Sequence, residues 1–361
     1  MDLDLLAALS NASGVPGREE RIRQIILDYS SSWWSDVLVD PMGSLIARLD
    51  PRGPRSQKAT KARPRNAPAD SGPRRVMVSC HMDEIGFYVK HIDKEGWVRL
   101  HPQGGFDART LFNKRVTVHG RRDLLGLLQP ATKPIHISTD EERRKIPEPT
   151  EFYVDLLMPA REVQKLVRVG DPVTLRQEFA DLGAYVSGKA LDNRSAVFVG
   201  LMACKKLLAD PKGFASEIHF VGSVQEEVGL RGAMAAAGRI RPDVGIAVDT
   251  TLACDTPGCG EHEAITRLGR GAGIKVLDSS AISDATLVDE FVTLAERNRI
   301  AYQMEILPRG GTDQGAIQRA AAGCKSITLS IPTRYIHTVN ETQAKADLQS
   351  TIDLLAAYLA G

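Results

Sequence analysis

SEIHFVGSVQEEVGLRGAMAAAGRIRPDVGIAVD, residues 216–249, reads as strand, turn, helix and strand in succession. EIHFVGSV and DVGIAVD are short apolar runs with the texture of strands buried on both faces. GAMAAAGRI between them suits a helix packed closely on a sheet. Both strands run straight into acids, Glu226 and Glu227 after the first and Asp249 at the end of the second. A strand–helix–strand unit of this kind predicts an α/β sheet with helices on both faces, and the strand ends are where such sheets place ligands.

The pattern continues downstream. LDNRSAVFVGLMACKKLLAD precedes it as a helix. DATLVDEFVTLAERNRI (helix), AYQMEIL (strand), TDQGAIQRAAAG (helix), SITLSIP (strand) and TQAKADLQSTIDLLAAYLA (helix) follow it. Upstream, REERIRQIILDYS (18–30) has helical spacing, VLVDPMGSLIARLD alternates about a turn as a hairpin would, and RRVMVSC is a strand leading into HMDEIGF. Between 85 and 176 the texture changes to short β-prone runs: IGFYVKHI, GWVRLH, KRVTVHG, LLGLL, FYVDLLM and DPVTLRQEF. Only AREVQKLV among them is helical. The simplest architecture is one α/β domain, residues 1–84 and 177–361, interrupted by a small β-barrel or sandwich at 85–176.

Composition is that of an ordinary globular chain, 43% hydrophobic and 25% charged. No apolar stretch approaches the roughly 18 residues that a membrane helix needs. The amino terminus lacks a secretory pattern, and the five cysteines include no CxxC pair, so a cytoplasmic location without a disulfide framework is expected. Cys254 and Cys259 sit close together, but two thiols need further soft ligands to hold a metal. The net charge of +1 conceals a basic tract at 51–75, with eight Lys and Arg against one acid, Asp70. Poor in large apolar residues, it reads as a solvated, flexible loop between two strands. It has no interleaved aromatics, which argues against nucleic acid as a partner.

Five stretches carry the chemistry. His81 and Asp83 end an apolar strand two residues apart, so they share a face, and a carboxylate beside a histidine can fix its tautomer. Asp192 stands just before a long helix, where it suits an N-cap as well as a ligand. Glu226 and Glu227 are adjacent acids at a buried-type strand end, costly unless paired or bound to cations. Asp249 ends another strand, and His337 follows SITLSIP. Together these supply two imidazoles and three carboxylates as ligands, with one carboxylate to spare for proton transfer, a donor set suited to a two-metal hydrolase.

HMDEIGFYVK, GKALDNRSA, QEEVGLRGA, AVDTT, GGTDQGAI and IPTRYIHT resemble the signature blocks of the M42 metallopeptidases, the glutamyl aminopeptidase and tetrahedral aminopeptidase family. GGFDARTLFNKRVTVHG, PIHISTDEERRKIP and VRVGDPVTL extend the resemblance through the insertion. The tract at 51–75 departs from it, as does Gln314, which stands where a small residue is usual. The resemblance implies a zinc-peptidase-like α/β catalytic domain with an inserted PDZ-like β-barrel that mediates dimer contacts. It implies two divalent ions, zinc, cobalt or manganese. Asp192 would bridge them, His81 and Asp249 would complete one site, and Glu227 and His337 the other. Asp83 would orient His81, and Glu226 would be the general base. The implied activity is release of amino-terminal residues from peptides by a homo-oligomer, a dimer or a tetrahedral dodecamer. The alternative is a metal-dependent deacylase of N-acyl amino acids. Arg270, Gly271, Gly311, Thr312 and Asp313 are expected to wall the substrate pocket.

Overall fold

The computed structural model describes residues 1–61 and 72–361. At its centre lie four strands whose parallel register decides where the chemistry falls. Glu217–Ser223 runs parallel to Arg75–His81, with Ser223 opposite His81. Val244–Leu252 pairs with the other edge of Arg75–His81, Ala247 opposite Ser79. Lys325–Arg334 lies beyond it, with Ser330 opposite Asp249. Two residues past the Ala247–Ser79 pair, Asp249 and His81 therefore reach the same end of the sheet.

The hairpin Asp36–Val39 and Leu45–Leu49 joins one side of this core, antiparallel to Glu217–Ser223. Glu341–Ala344, Tyr185–Gly188 and Ala180–Leu182 extend the other side. Ala272–Leu277 and Tyr302–Ile306 branch from Lys325–Arg334. Side chains alternate across the sheet. Val78, Cys80, Phe220, Ile246 and Val248 pack with Phe198, Leu201, Leu348 and Leu355 of the long helices Leu191–Ala209 and Lys345–Ala360. On the opposite face, Met77 and Val221 pack with Ala233, Ala236, Ile240 and Ile317 of helices Arg231–Ile240 and Asp313–Arg319. The helix Glu20–Ser30 buries Ile22, Ile26 and Ser30, one face at intervals of four.

The β-prone runs between the halves fold as six strands closed into a barrel, in the order Gly86–Ile92, Val98–Gln103, Phe152–Asp155, Asp123–Pro130, Lys114–His119 and Pro172–Leu175. Phe87, Val98, Leu100, Val116, Val118, Leu128, Phe152 and Val173 fill it. Closure leaves no free edge among these strands.

Two stretches that the sequence reading assigned are built differently. The carboxy-terminal helix starts at Lys345, because residues 341–344 are drawn into the sheet by pairing with Tyr185–Gly188. The tract at 51–75 is not a loop throughout: Gly53–Lys61 is a helix and Arg75 already begins a strand, while 62–71 lie outside the described residues. Three of its described arginines are used locally. Arg55 pairs with Asp210 at 2.6 Å, the Arg52 guanidinium lies 5.7 Å from the Phe214 ring centroid, and Arg74 donates to the Tyr358 hydroxyl at 2.9 Å. Among the described residues, no helix is long and apolar enough to cross a membrane.

Candidate metal centre

His81, Asp249 and Glu226–Glu227 are delivered to one place by the parallel strands. Asp192 arrives from the first turn of Leu191–Ala209, where its backbone is extended rather than helical (φ −79°, ψ 102°). His337 comes from the turn between Lys325–Arg334 and Glu341–Ala344, with a left-handed backbone (φ 63°).

The distances divide the cluster in two. His81 Nε2 lies 3.3 Å from Asp192 Oδ1 and 3.7 Å from Asp249 Oδ1. His337 Nε2 lies 3.6 Å from Asp192 Oδ2 and 3.4 Å from Glu227 Oε2. Asp192 thus turns one carboxylate oxygen toward each histidine. Three groups have donor atoms within 4.8 Å of one another: His81–Asp192–Asp249, Asp192–Glu227–His337, and His81–Glu226–Glu227. Glu226 Oε2 stands 3.7 Å from His81 Nε2.

Electrostatically the arrangement is frustrated. Burial pushes Glu226 well above the usual carboxylate range, with Asp249 and Glu227 adding to the push and His81 opposing it. Burial likewise raises Glu227, and carries Asp249 to about 7. Burial disfavours a charged His337, yet the Glu227 and Asp192 carboxylates lift it to about 10. Acids pushed toward protonation beside imidazoles pulled toward protonation are groups competing for too few positive charges. Arg309 is the one Lys or Arg among the residues lining the cavity here. Nitrogen and oxygen donors converging on two adjacent points, with Asp192 shared between them, fit divalent cations.

Asp83 is fully buried and does more than the sequence suggested. Its main-chain oxygen lies 3.1 Å from His81 Nδ1, and its Oδ1 3.5 Å from that nitrogen. Its two carboxylate oxygens also accept the backbone N–H groups of Glu226 (3.0 Å) and Glu227 (3.1 Å). One residue therefore sets both, the histidine ring chiefly through its main-chain oxygen and the loop carrying the paired acids through its carboxylate. Glu341, which sequence reasoning missed, accepts N–H groups from Asp192 and His337 at 2.8 Å each. The signal available for it was an acid four residues after His337.

The cavity over the cluster holds about 590 Å³. Leu230, Leu252, Leu307 and Ile336 supply apolar wall, with Arg309 and Ser280 among the polar groups. The barrel end contributes Gly105; a Cβ there would meet the His337 ring at 3.5 Å, and one on Gly104 (φ 86°) would meet Glu227 Oε2 at 3.1 Å. Of the expected pocket residues, Gly311 lines this cavity and the other four do not. Gly271 gives its N–H to Asp347, and Arg270 beside it is exposed. Thr312 is buried against Thr328, 2.9 Å between hydroxyls. Asp313 is buried under the sheet end, accepting the Ser79 and Ser223 hydroxyls at 2.7 and 2.5 Å. Gln314 also points inward, to Ser283 and Thr328. A larger cavity of about 740 Å³ borders the barrel, lined by Arg18, Arg21, Arg121 and Arg168, and carries none of these donor groups.

The M42 glutamyl aminopeptidase profile matches residues 65–354. A lysyl aminopeptidase of Pyrococcus furiosus is 30% identical, covering 99% of this chain and 97% of its own. The aminopeptidase of the archaeon Desulfurococcus kamchatkensis is 32% identical and superposes with a TM-score of 0.88, covering 99% of this chain and 94% of that one. The TET1 peptidase of Pyrococcus horikoshii, which can assemble into a tetrahedron or a large octahedral shell, is 30% identical with a TM-score of 0.83, covering 99% and 98%. The chain belongs to the M42 family and is an aminopeptidase, a hydrolase of peptide bonds. Nothing in these similarities supports the N-acyl amino acid deacylase.

Proposed function

We propose that this aminopeptidase works with two divalent cations, zinc, cobalt or manganese, and that Glu226 is its general base. The observation that carries the reading is the Asp192 carboxylate, one oxygen facing His81 and the other His337. Asp192 would then be shared by both cations, with His81 and Asp249 completing one set of ligands and Glu227 and His337 the other. When bound, the two cations supply a lowered pKa for water and polarisation of the scissile carbonyl. Glu226 takes the proton from the attacking water and returns it to the departing amine. Asp83 keeps His81 and the Glu226–Glu227 loop in place during that exchange.

Gly311 belongs to the substrate wall on this reading, and the acid-rich cluster favours a positively charged α-amine on the peptide. The protein is further proposed to be a cytoplasmic homo-oligomer, a dimer through the barrel or a tetrahedral dodecamer; its likeness to the shell-forming Pyrococcus horikoshii peptidase supports assembly into an oligomer.

The test pairs metal analysis with a blocked substrate. Purified protein should carry two divalent ions per chain and lose activity to a chelator. A free-amine peptide should be cleaved at least tenfold faster than its N-acetyl counterpart. Equal rates on both peptides would overturn amine recognition, and activity indifferent to chelation would overturn the metals.

A further inference from the structure

Glu341 is the first residue of the strand Glu341–Ala344 and is 2% exposed. Its register is fixed on the sheet by pairing opposite Gly188, four residues before Asp192. The side chain is thus held beside two segments that are far apart in sequence. Oε2 accepts the Asp192 N–H and Oε1 accepts the His337 N–H, each at 2.8 Å.

Both donors sit where regular backbone has been given up. Asp192 is extended within the first turn of a helix, and His337 has a left-handed backbone two residues after Tyr335, which has the same feature (φ 61°). Neither conformation belongs to a repeating helix or strand, and in both cases the N–H is taken up by Glu341. A carboxyl group has two oxygens in one plane, so one side chain can serve both N–H groups.

We infer that Glu341 is a positioning residue for both halves of the cation centre: it fixes the distance between the Asp192 carboxylate and the His337 ring by gripping the backbone of each. The inference rests on the two-cation reading above. It assigns Glu341 no contact with substrate or cation.

The Gln substitution separates this role from filling space. A Gln side chain has one acceptor oxygen and an amide nitrogen that only donates. Whichever way the amide turns, one of the two backbone N–H groups faces another donor. Residues that orient ligands from behind are worth ~10–100-fold in metal affinity when changed.

The experiment is equilibrium dialysis of the full chain against zinc and, separately, cobalt, for wild type, Glu341→Gln and Glu341→Asp. Metal-free melting is measured beside it. Glu341→Gln should fold, bind metal about 10–100-fold more weakly, and regain turnover as metal is raised. Glu341→Asp keeps both carboxyl oxygens but withdraws them by one methylene, and should also bind more weakly. Wild-type affinity in folded Glu341→Gln, or a lowered metal-free melting temperature with unchanged affinity, overturns the inference. Should Glu341→Gln not fold, Glu341→Asp decides by the same affinity criterion. A wild-type chain that takes up no divalent ion would overturn the two-cation reading instead.

Discussion

Replacing Glu226 by Gln removes a proton acceptor and little else. The amide has nearly the same volume, and the loop position is held through backbone, the Glu226 N–H donating to Asp83 at 3.0 Å. The donors of His81, Asp192, Glu227, Asp249 and His337 do not depend on the Glu226 side chain for their mutual placement. Metal content should therefore stay at the wild-type value. A positioned general base contributes roughly 10²–10⁴ in rate, so kcat should fall by about that factor, or about 3–5 kcal/mol in activation free energy. KM for a short free-amine peptide should change much less, since on the proposal Glu226 acts only on the transferring proton. The assay is steady-state kinetics at saturating metal, with metal content measured on the same samples. The competing role is visible in the structure, because Glu226 also lies in a possible ligand group with His81 and Glu227. Loss of metal in step with activity would show that base and ligand had been confused. A fall in kcat of less than about tenfold would remove Glu226 from the proton transfer.

His337→Ala leaves Asp192 and Glu227 without the imidazole 3.6 and 3.4 Å from them, and should empty one cation position while His81, Asp192 and Asp249 keep the other. Unchanged stoichiometry on dialysis would take His337 off the ligand set. Glu19 tests the support beneath the loop: burial, helped by Asp83, raises it to about 7, and it accepts the Gln225 N–H at 3.1 Å. A carboxyl whose folded pKa lies above its unfolded value adds stability at low pH, and that contribution is lost as pH rises from about 4.5 through about 7. Up to about 3 kcal/mol is involved. Glu19→Gln should therefore show a shallower decline than wild type in urea unfolding of the metal-free protein between acidic and mildly alkaline pH, and superimposable profiles would refute the assignment.

Strand-borne features were legible in the sequence because their period is two. His81 and Asp249 lie on the same sheet face as Met77, Ser79 and Ala247, so strand assignment alone predicts their direction. The six barrel strands were legible for the same reason, each an apolar run bounded by turns. Asp192 was ambiguous because an acid at a helix start has an ordinary capping role, and only three-dimensional placement divides its oxygens between two histidines. The pocket walls were misjudged where backbone, not side chain, decides. Gly271 belongs to an anchor formed with Asp347, and a Cβ there would collide with Ala301. Asp313 looked available beside Gly311, but helix Asp313–Arg319 turns it down onto Ser79 and Ser223. The helix Gly53–Lys61 escaped notice because its residues offer almost no apolar periodicity, and Arg55 with Asp210 and Gly213 ties it down instead.

The buried acids around the centre fall into two kinds by what they touch. Asp192, Glu226, Glu227 and Asp249 aim oxygens at the imidazoles, and Glu227 and Asp249 are pushed toward protonation by burial beside them. Asp83 and Glu341 instead accept backbone N–H groups, two each, and in every case from residues that bring a side chain to the cluster. The division has a physical reason. On the two-cation proposal, the acids that would hold the cations repel one another without them. Two carboxyl groups bonded to the backbones of Asp192, Glu226, Glu227 and His337 hold those positions instead. On the two-cation proposal the centre is then assembled before any cation arrives, so that binding does not also have to order the loops.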